Sequence, residues 1–513
     1  MKRILRATKD GYITNRIIRD SFRATDANVG LAGTLDLFKL AGESQLTGSS
    51  PFVSGTTDPI ELSRVLIKFD VSPITALTSS ILDMNHPSFR CTLSLKDVMG
   101  GQTLPSNFSL ILYPLAQSFD EGIGRDVSAF EDIDAANYLT ASVSSGLALW
   151  NVSGADAKGY VGQASIDVIT GSMTLGDLFV TQSFTDGSED LSMDITRIVS
   201  ATISGQIPNH GFRLSFSGTQ ETDDRTRFVK RFGTRHSTEP RLRPSIEVGF
   251  NDSIIDHHRS FFFDVSGSLF LNNIVRGALS NIVSGSTRTP ITGSNSLVIT
   301  LTTGSTASGT YYRTVVSASQ HVVGQNSIAG IYSATFVVSP AATGALLNEV
   351  SLAHSATFTE VWGSSDGTVG FYTGTLVMYD ASRTTTLGTL NPLRVSATNV
   401  RNAYKSSDRP RVRVFIEDDG ASFKATKLPI ESQSMIFEEM HYRVFDVNND
   451  TVVFDFDTVT NSTRLSVDAT GPYFDLYASD LDPGRSYCID VMIVAQGTRQ
   501  VFRNVSGIFR VDA

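Results

Sequence analysis

The sequence predicts an all-β chain of three β-sandwich domains in series with a few short helices, and three observations predict it. Apolar segments of strand length recur from end to end, Gly, Ser, Asn, Asp and Pro separate them, and sustained helical periodicity is scarce. The composition of the 513 residues agrees: 41% are hydrophobic but only 18% are charged, below the usual share of about a quarter. Ser, Thr, Gly and Asn fill the deficit, and these are residues of turns and short connections.

Taken in order, the strand segments are Arg64 to Val71 (RVLIKFDV), Phe108 to Leu115 (FSLILYPL), Gly211 to Phe216 (GFRLSF), Ser296 to Thr302 (SLVITLT), Thr335 to Ser339 (TFVVS) and Arg411 to Glu417 (RVRVFIE). β-Branched and aromatic residues dominate them, as a pleated, half-buried surface requires. Between the third and fourth, Phe232 to Phe250 reads FGTRHSTEPRLRPSIEVGF. Here Pro240 and Pro244 fix a turn, and Ile246, Val248 and Phe250 then alternate with Ser245, Glu247 and Gly249 as a strand. Helices are expected only locally, at Ser128 to Tyr138 and at Leu191 to Ser204, the latter with Leu191, Ile195, Ile198, Val199 and Thr202 on one face.

Polar Asn251, Asp252 and Ser253 follow that closing strand and place a first boundary near residue 255. The Ser/Thr-rich run Asp380 to Leu390 (DASRTTTLGTL) places a second near 385. The expected domains are therefore 1–255, 256–385 and 386–513, the last two of sandwich size. In the last, Leu481-Asp482-Pro483-Gly484 precedes Tyr487, which opens the strand Tyr487 to Val494 (YCIDVMIV). A Pro-Gly turn followed by a strand-starting Tyr resembles the tyrosine corner of immunoglobulin and fibronectin type III sandwiches, in which the phenol bonds back to the chain upstream. The third domain is accordingly expected to be immunoglobulin/fibronectin-III-like, with Tyr487 as a structural residue.

No catalytic constellation accompanies these elements. The neighbours His257 and His258 would point to opposite faces of a strand and so cannot share a metal. Gly30 to Gly33 and Gly122-Ile123-Gly124 lack the Lys-Ser/Thr and helix of a phosphate loop. The pairs Asp120 with Glu121 and Glu438 with Glu439 read as solvated carboxylates, and no nucleophile elbow is present. The chain is expected to be non-enzymatic, with no cofactor and no metal. Cys91 and Cys488 are expected to be buried free thiols. Net charge is −10 with a pI near 5.3, which excludes a nucleic-acid binder, because the basic runs Arg225 to Arg243 and Arg401 to Arg413 are interleaved with acids. No apolar run approaches the ~18 residues of a membrane span. The opening MKRILRATKDGYITNRII has no apolar core of a secretory signal, so synthesis in a cytoplasm as a soluble chain, without Sec export, is expected. Trp150 and Trp362 are the residues to test for stacking on a glycan, against the reading that both simply pack inside.

Several segments of the first half come in the order of a known family. They are Leu66-Ile67-Lys68-Phe69-Asp70-Val71-Ser72-Pro73, Phe119-Asp120-Glu121-Gly122-Ile123-Gly124-Arg125, Trp150-Asn151 with Gly154 and Asp156, and Met193-Asp194-Ile195-Thr196 leading to Ile207-Pro208-Asn209-His210-Gly211-Phe212. The last is Phe232-Gly233-Thr234-Arg235 leading to Leu242-Arg243-Pro244. In these, residues 1–255 resemble the DNRLRE-type, carbohydrate-binding-module-like β-sandwich, and the opening ITNRIIRDSFRATDANVGLAGTLDLFKL looks like its subgroup in tailed-bacteriophage virion proteins. The resemblance implies architectural roles for Arg235, Arg243 and Pro244. It also implies a structural virion protein that acts through contacts with other virion proteins, as a homo-oligomer in the particle: a neck, collar or tail/baseplate attachment protein, or a capsid decoration. The competing reading is an adhesion protein that recognises a host surface glycan through the first domain.

Overall fold

The computed structural model describes residues 1–44, 59–98, 100–101, 103–125, 127, 135–144, 146–304, 311–380, 392–419, 433–495 and 497–513. The chain is all-β, and it groups into two compact units. One comprises Arg3–Ala76 and Phe89–Gly249, the other Met1–Lys2, Leu77–Ser88 and Phe250–Ala513.

The first unit is built on a ten-stranded sheet. Its path runs Val180–Phe184, Phe108–Pro114, Phe212–Phe216, Ile60–Phe69, Lys2–Thr14, Ser245–Gly249, Arg90–Leu95 and Leu191–Asp194, while Thr34–Ala41 bridges Ile60–Phe69 to Arg227–Gly233. The first and last strands of the unit therefore lie side by side. Registers Ile67↔Phe212, Val65↔Leu214, Leu214↔Leu112 and Phe216↔Leu110 put these apolar side chains on one face, and all are buried. Phe108 stacks on Phe184 at 4.8 Å and meets Phe216 edge-on at 5.6 Å. The opposite face carries Leu66, Arg213, Tyr113, Ile111 and Ser215 in register.

The expected helix from Leu191 is half wrong. Leu191–Asp194 is a strand paired to Arg90–Leu95, and the helix is only Thr196–Ile203. Leu191, Met193 and Ile195 are buried with a period of two, which the helical reading of the same window overlooked. Asp194 makes the switch, its carboxylate accepting from the Thr196 N–H at 3.0 Å and hydroxyl at 2.6 Å. Of the other expected helix, residues 128–134 lie outside the described residues, and 135–138 are irregular.

In the second unit, a seven-stranded sheet has the order Phe261–Phe262, Gly370–Tyr379, Ser355–Ser364, Leu297–Thr303, Tyr312–Val323, Asn326–Phe336, Gly267–Asn272. Tyr312–Val323 pairs with Leu297–Thr303 through Tyr312 to Ala318 and with Asn326–Phe336 from Ser319 onward. One core holds Leu297, Ile299, Phe358 and Trp362 from one side of that change and Leu269, Tyr332 and Ala334 from the other. Helix Gly344–Ala353 adds Leu346 and Val350 to it, started by the Thr343 side chain, which accepts from the Leu346 N–H.

The expected break at Asp380 to Leu390 falls almost wholly on 381–391, outside the described residues. Beyond it, a four-stranded sheet (Leu393–Ala397, Arg411–Asp418, Gly471–Asp475, Ser466–Asp468) faces a six-stranded one centred on Ser486–Ala495 and Glu439–Asp446. Tyr442 of one sheet stacks on Phe474 of the other at 4.0 Å. The polar segment after Gly249 is not a loose linker: the Val467 N–H donates to the Ile254 carbonyl at 2.7 Å, and Ile255 bridges Val467. Leu77–Ser88 is likewise tied in this unit, where Asn326 Nδ2 donates to the Leu82 carbonyl at 2.9 Å.

Tyr487 is buried, its hydroxyl donating to the Asp482 carbonyl at 3.0 Å and accepting the Asp482 N–H at 2.9 Å. That is the geometry of a tyrosine corner. Tyr487→Phe should therefore lower stability by about 1–2 kcal/mol, the cost of a lost bond and an unsatisfied neighbour. A shift of the denaturant midpoint with unchanged slope checks it.

Candidate functional site

The face of the ten-stranded sheet that carries Leu66, Ile111, Tyr113 and Arg213 is covered. Leu115, Phe119, Ala136, Ala141, Trp150, Ala155 and Val168, all from the segment between strands Phe108–Pro114 and Val180–Phe184, pack on Ile13, Leu66, Ile111 and Tyr113 of the sheet. Two buried arginines fasten the cover. Arg213 donates to the Ala155 carbonyl at 2.7 Å and to Asp156 at 2.9 Å, and its guanidinium lies 5.3 Å from the Tyr113 ring centre. Arg64 donates to the Gly154 carbonyl at 2.7 Å and forms a two-bond pair with Glu221, 2.9 Å each. Asp156 is held below the usual carboxylate range by Arg64 and Arg213, against the opposing effect of its burial. Two cations on an apolar sheet face are tolerated because carbonyls and carboxylates of the covering segment meet them.

Both tryptophans are inside. Trp150 is 5% exposed and donates to the Asn137 carbonyl at 2.9 Å, and Trp362 is 0% exposed and donates to Glu360. Neither offers a ring face to a sugar, so the stacking role considered for them is corrected to packing with a satisfied indole N–H.

Arg235 of the closing motif forms a clamp. Its guanidinium grips Glu121 with two bonds, Nε to Oε1 at 2.6 Å and an Nη to Oε2 at 2.5 Å, while its backbone N–H donates to Asp10 at 2.6 Å. Arg243 Nε instead donates to the Ser237 carbonyl at 2.9 Å. Pro244 is buried, and its carbonyl accepts the Ala7 N–H at 3.2 Å, the residue after it opening the closing strand. Glycine is required at this junction, because a Cβ on Gly30 would sit 1.8 Å from the Glu121 carbonyl oxygen. Glu121 is thus no solvated carboxylate, and Asp120 beside it accepts from the backbone of Val143 and Ser144 at 2.9 and 3.0 Å. Burial, with the Glu121 charge adding to it against the Arg235 N–H, pushes the Asp10 carboxyl up to about 7. Arg235→Ala should cost roughly 1–3 kcal/mol, the range for losing charge-assisted bonds, and more than Arg243→Ala. Paired denaturant titrations of the two variants check the ranking.

A third cluster escaped sequence reasoning. His258 sits between two buried carboxylates: Nδ1 is 2.7 Å from Asp256, Nε2 is 2.9 Å from Glu360, and Glu360 also accepts the Trp362 indole. Burial opposes the charged ring, but the bonds from Asp256 and Glu360 prevail and raise its pKa to about 10. His257 turns elsewhere, its Nδ1 accepting the Ser268 N–H at 2.9 Å. Alternating Glu360 and Trp362 on one strand, with Phe358, was the available signal, since a carboxylate at an inward position needs a cation.

The carboxylates of the covering segment and of the His258 cluster are spent on structure, bonded to cations or backbone amides, whereas at the clamp Asp10 Oδ1 has no hydrogen-bond partner. No family model matches the chain, and no curated protein does. Among solved structures it is similar to the chicken CNTN1 FN1-FN3 domains, with 13% identity over 59% of this chain and 82% of that one and a TM-score of 0.14. It is also similar to E. coli alpha-2-macroglobulin in its native conformation, with 8% identity over 98% and 29% and a TM-score of 0.14. Scores this low carry no information about activity or partners.

Proposed function

We propose that the chain is a non-enzymatic structural component of a tailed-phage virion, a neck, collar or tail/baseplate attachment protein or a capsid decoration, acting through protein contacts. The phage context rests on the resemblance of the first 255 residues. What supports contact over sugar recognition is that both tryptophans are buried and that Arg64 and Arg213 hold a segment of the chain itself over the sheet face. Apolar side chains stand exposed instead on the short hairpins Ile274–Val275/Ala278–Leu279 and Val283–Ser284/Thr289–Pro290, with Ile274 63% exposed. Such residues belong at the centre of a protein interface. Replacing Ile274, Val275 and Val283 together by serine should leave the fold intact and reduce incorporation into particles. Undiminished incorporation would count against contacts through this surface.

A further inference from the structure

Asp10 stands on the first strand, Glu121 opens the turn Glu121-Gly122-Ile123-Gly124, and His236 follows the clamp arginine. One donor atom from each lies within 4.8 Å of the other two. Asp10 is fully buried, and its Oδ1 has no hydrogen-bond partner, whereas Oδ2 accepts the Arg235 N–H at 2.6 Å. A buried carboxylate oxygen with nothing to accept is costly, so the arrangement lacks a donor or a cation. Beside it is a cavity of about 10 Å³ whose lining includes Asp10, Asn28, Gly30 and Glu121 but not His236. That is room for one water-sized sphere.

Arg235 does not close the site. A carboxylate oxygen has two lone pairs, and Glu121 Oε2 has one bond to an Arg235 Nη, so Arg235 orients Glu121 while leaving it able to ligate. His236 Nε2 is 3.5 Å from Glu121 Oε1, which already accepts the Asp10 N–H at 2.9 Å and Arg235 Nε at 2.6 Å, so Oε2 is the oxygen left to ligate. An imidazole with two carboxylates suits a borderline first-row ion better than magnesium or calcium, which prefer oxygen alone.

We propose that Asp10, Glu121 and His236 form a structural site for one divalent transition ion, zinc being the ion this donor set suits best. Such an ion would staple the first strand, a turn 111 residues further along and the closing motif 225 residues from Asp10. Its contribution would be to reinforce a junction that the Arg235 clamp already holds.

The test uses the full chain, freed of metal by chelation and dialysis, then titrated at pH 7.5 with zinc, manganese and calcium chlorides while binding heat and the thermal midpoint are followed. The expected result is one zinc per chain and a raised midpoint. Asp10→Asn, which keeps the shape, should abolish both, and His236→Ala, at a partly exposed position, should weaken binding by an order of magnitude or more. Zinc binding unaltered in both variants overturns the proposal, as does a folded chain that binds no zinc. A chain with no metal response, whose gain in stability from pH 7.5 to 5.5 is reduced in Asp10→Asn, has a proton in the site, and that also overturns it. Should Asp10→Asn fail to fold, His236→Ala decides.

Discussion

Glu360→Ala should cost about 3–5 kcal/mol, because it strips a buried cation of one partner and leaves a second buried donor unpaired. Glu360 is wholly buried and serves both His258 Nε2 at 2.9 Å and the Trp362 indole. Water cannot replace it in a core formed by Phe358, Leu376 and Met378. The same cluster sets a pH dependence of definite sign. The folded-state pKa of His258 is raised to about 10 from an ordinary 6.5, so the imidazolium contributes its full stability below pH 6.5. That contribution is lost as pH rises from 6.5 through 10. Glu360→Gln should flatten this profile. Trp362 is one of only two tryptophans, so its fluorescence in denaturant titrations at pH 6 and pH 10 reads the site directly. An unchanged midpoint in Glu360→Ala, or a wild-type profile that is flat over this window, contradicts the assignment.

Arg213→Ala should be comparably severe, about 3–5 kcal/mol, and local in character. The variant leaves the Ala155 carbonyl and part of Asp156 without their donor under the covering segment, and it removes the cation above Tyr113. Arg213→Met, which keeps the stem and the volume, should lose less, because Asp156 is partly exposed and retains Arg64 and Lys158. Hydrogen exchange should show lost protection concentrated between residues 140 and 170, ahead of global unfolding. Uniform loss across the unit would mean that the segment is not held as a separate cover.

Most of the fold was legible in the sequence because its strands are short apolar runs rich in β-branched and aromatic residues, bounded by turn residues. Arg64 to Val71, Phe108 to Leu115, Gly211 to Phe216 and Arg411 to Glu417 all fall on strands of the structure, and the Tyr487 corner was visible in its Pro-Gly turn. The site was much less legible. Arg235 was expected to be structural, but its partners Glu121 and Asp10 are 114 and 225 residues away, and no local pattern encodes such a pairing. Leu191 failed for a different reason: a strand and a helix meet at Asp194, and a window spanning both shows an apolar stripe of either period. The covering segment was invisible as a cover, because its apolar residues are single and widely spaced, and only the sheet beneath brings them together.

We propose that this protein works by protein contact within a virion. The most direct measurement is sedimentation of intact particles in a density gradient, followed by quantitation of the chain before and after washing with free sugars. The account predicts a fixed number of copies per particle that sugar does not remove. A chain that sediments apart from particles and is captured by a glycan at micromolar affinity would contradict it.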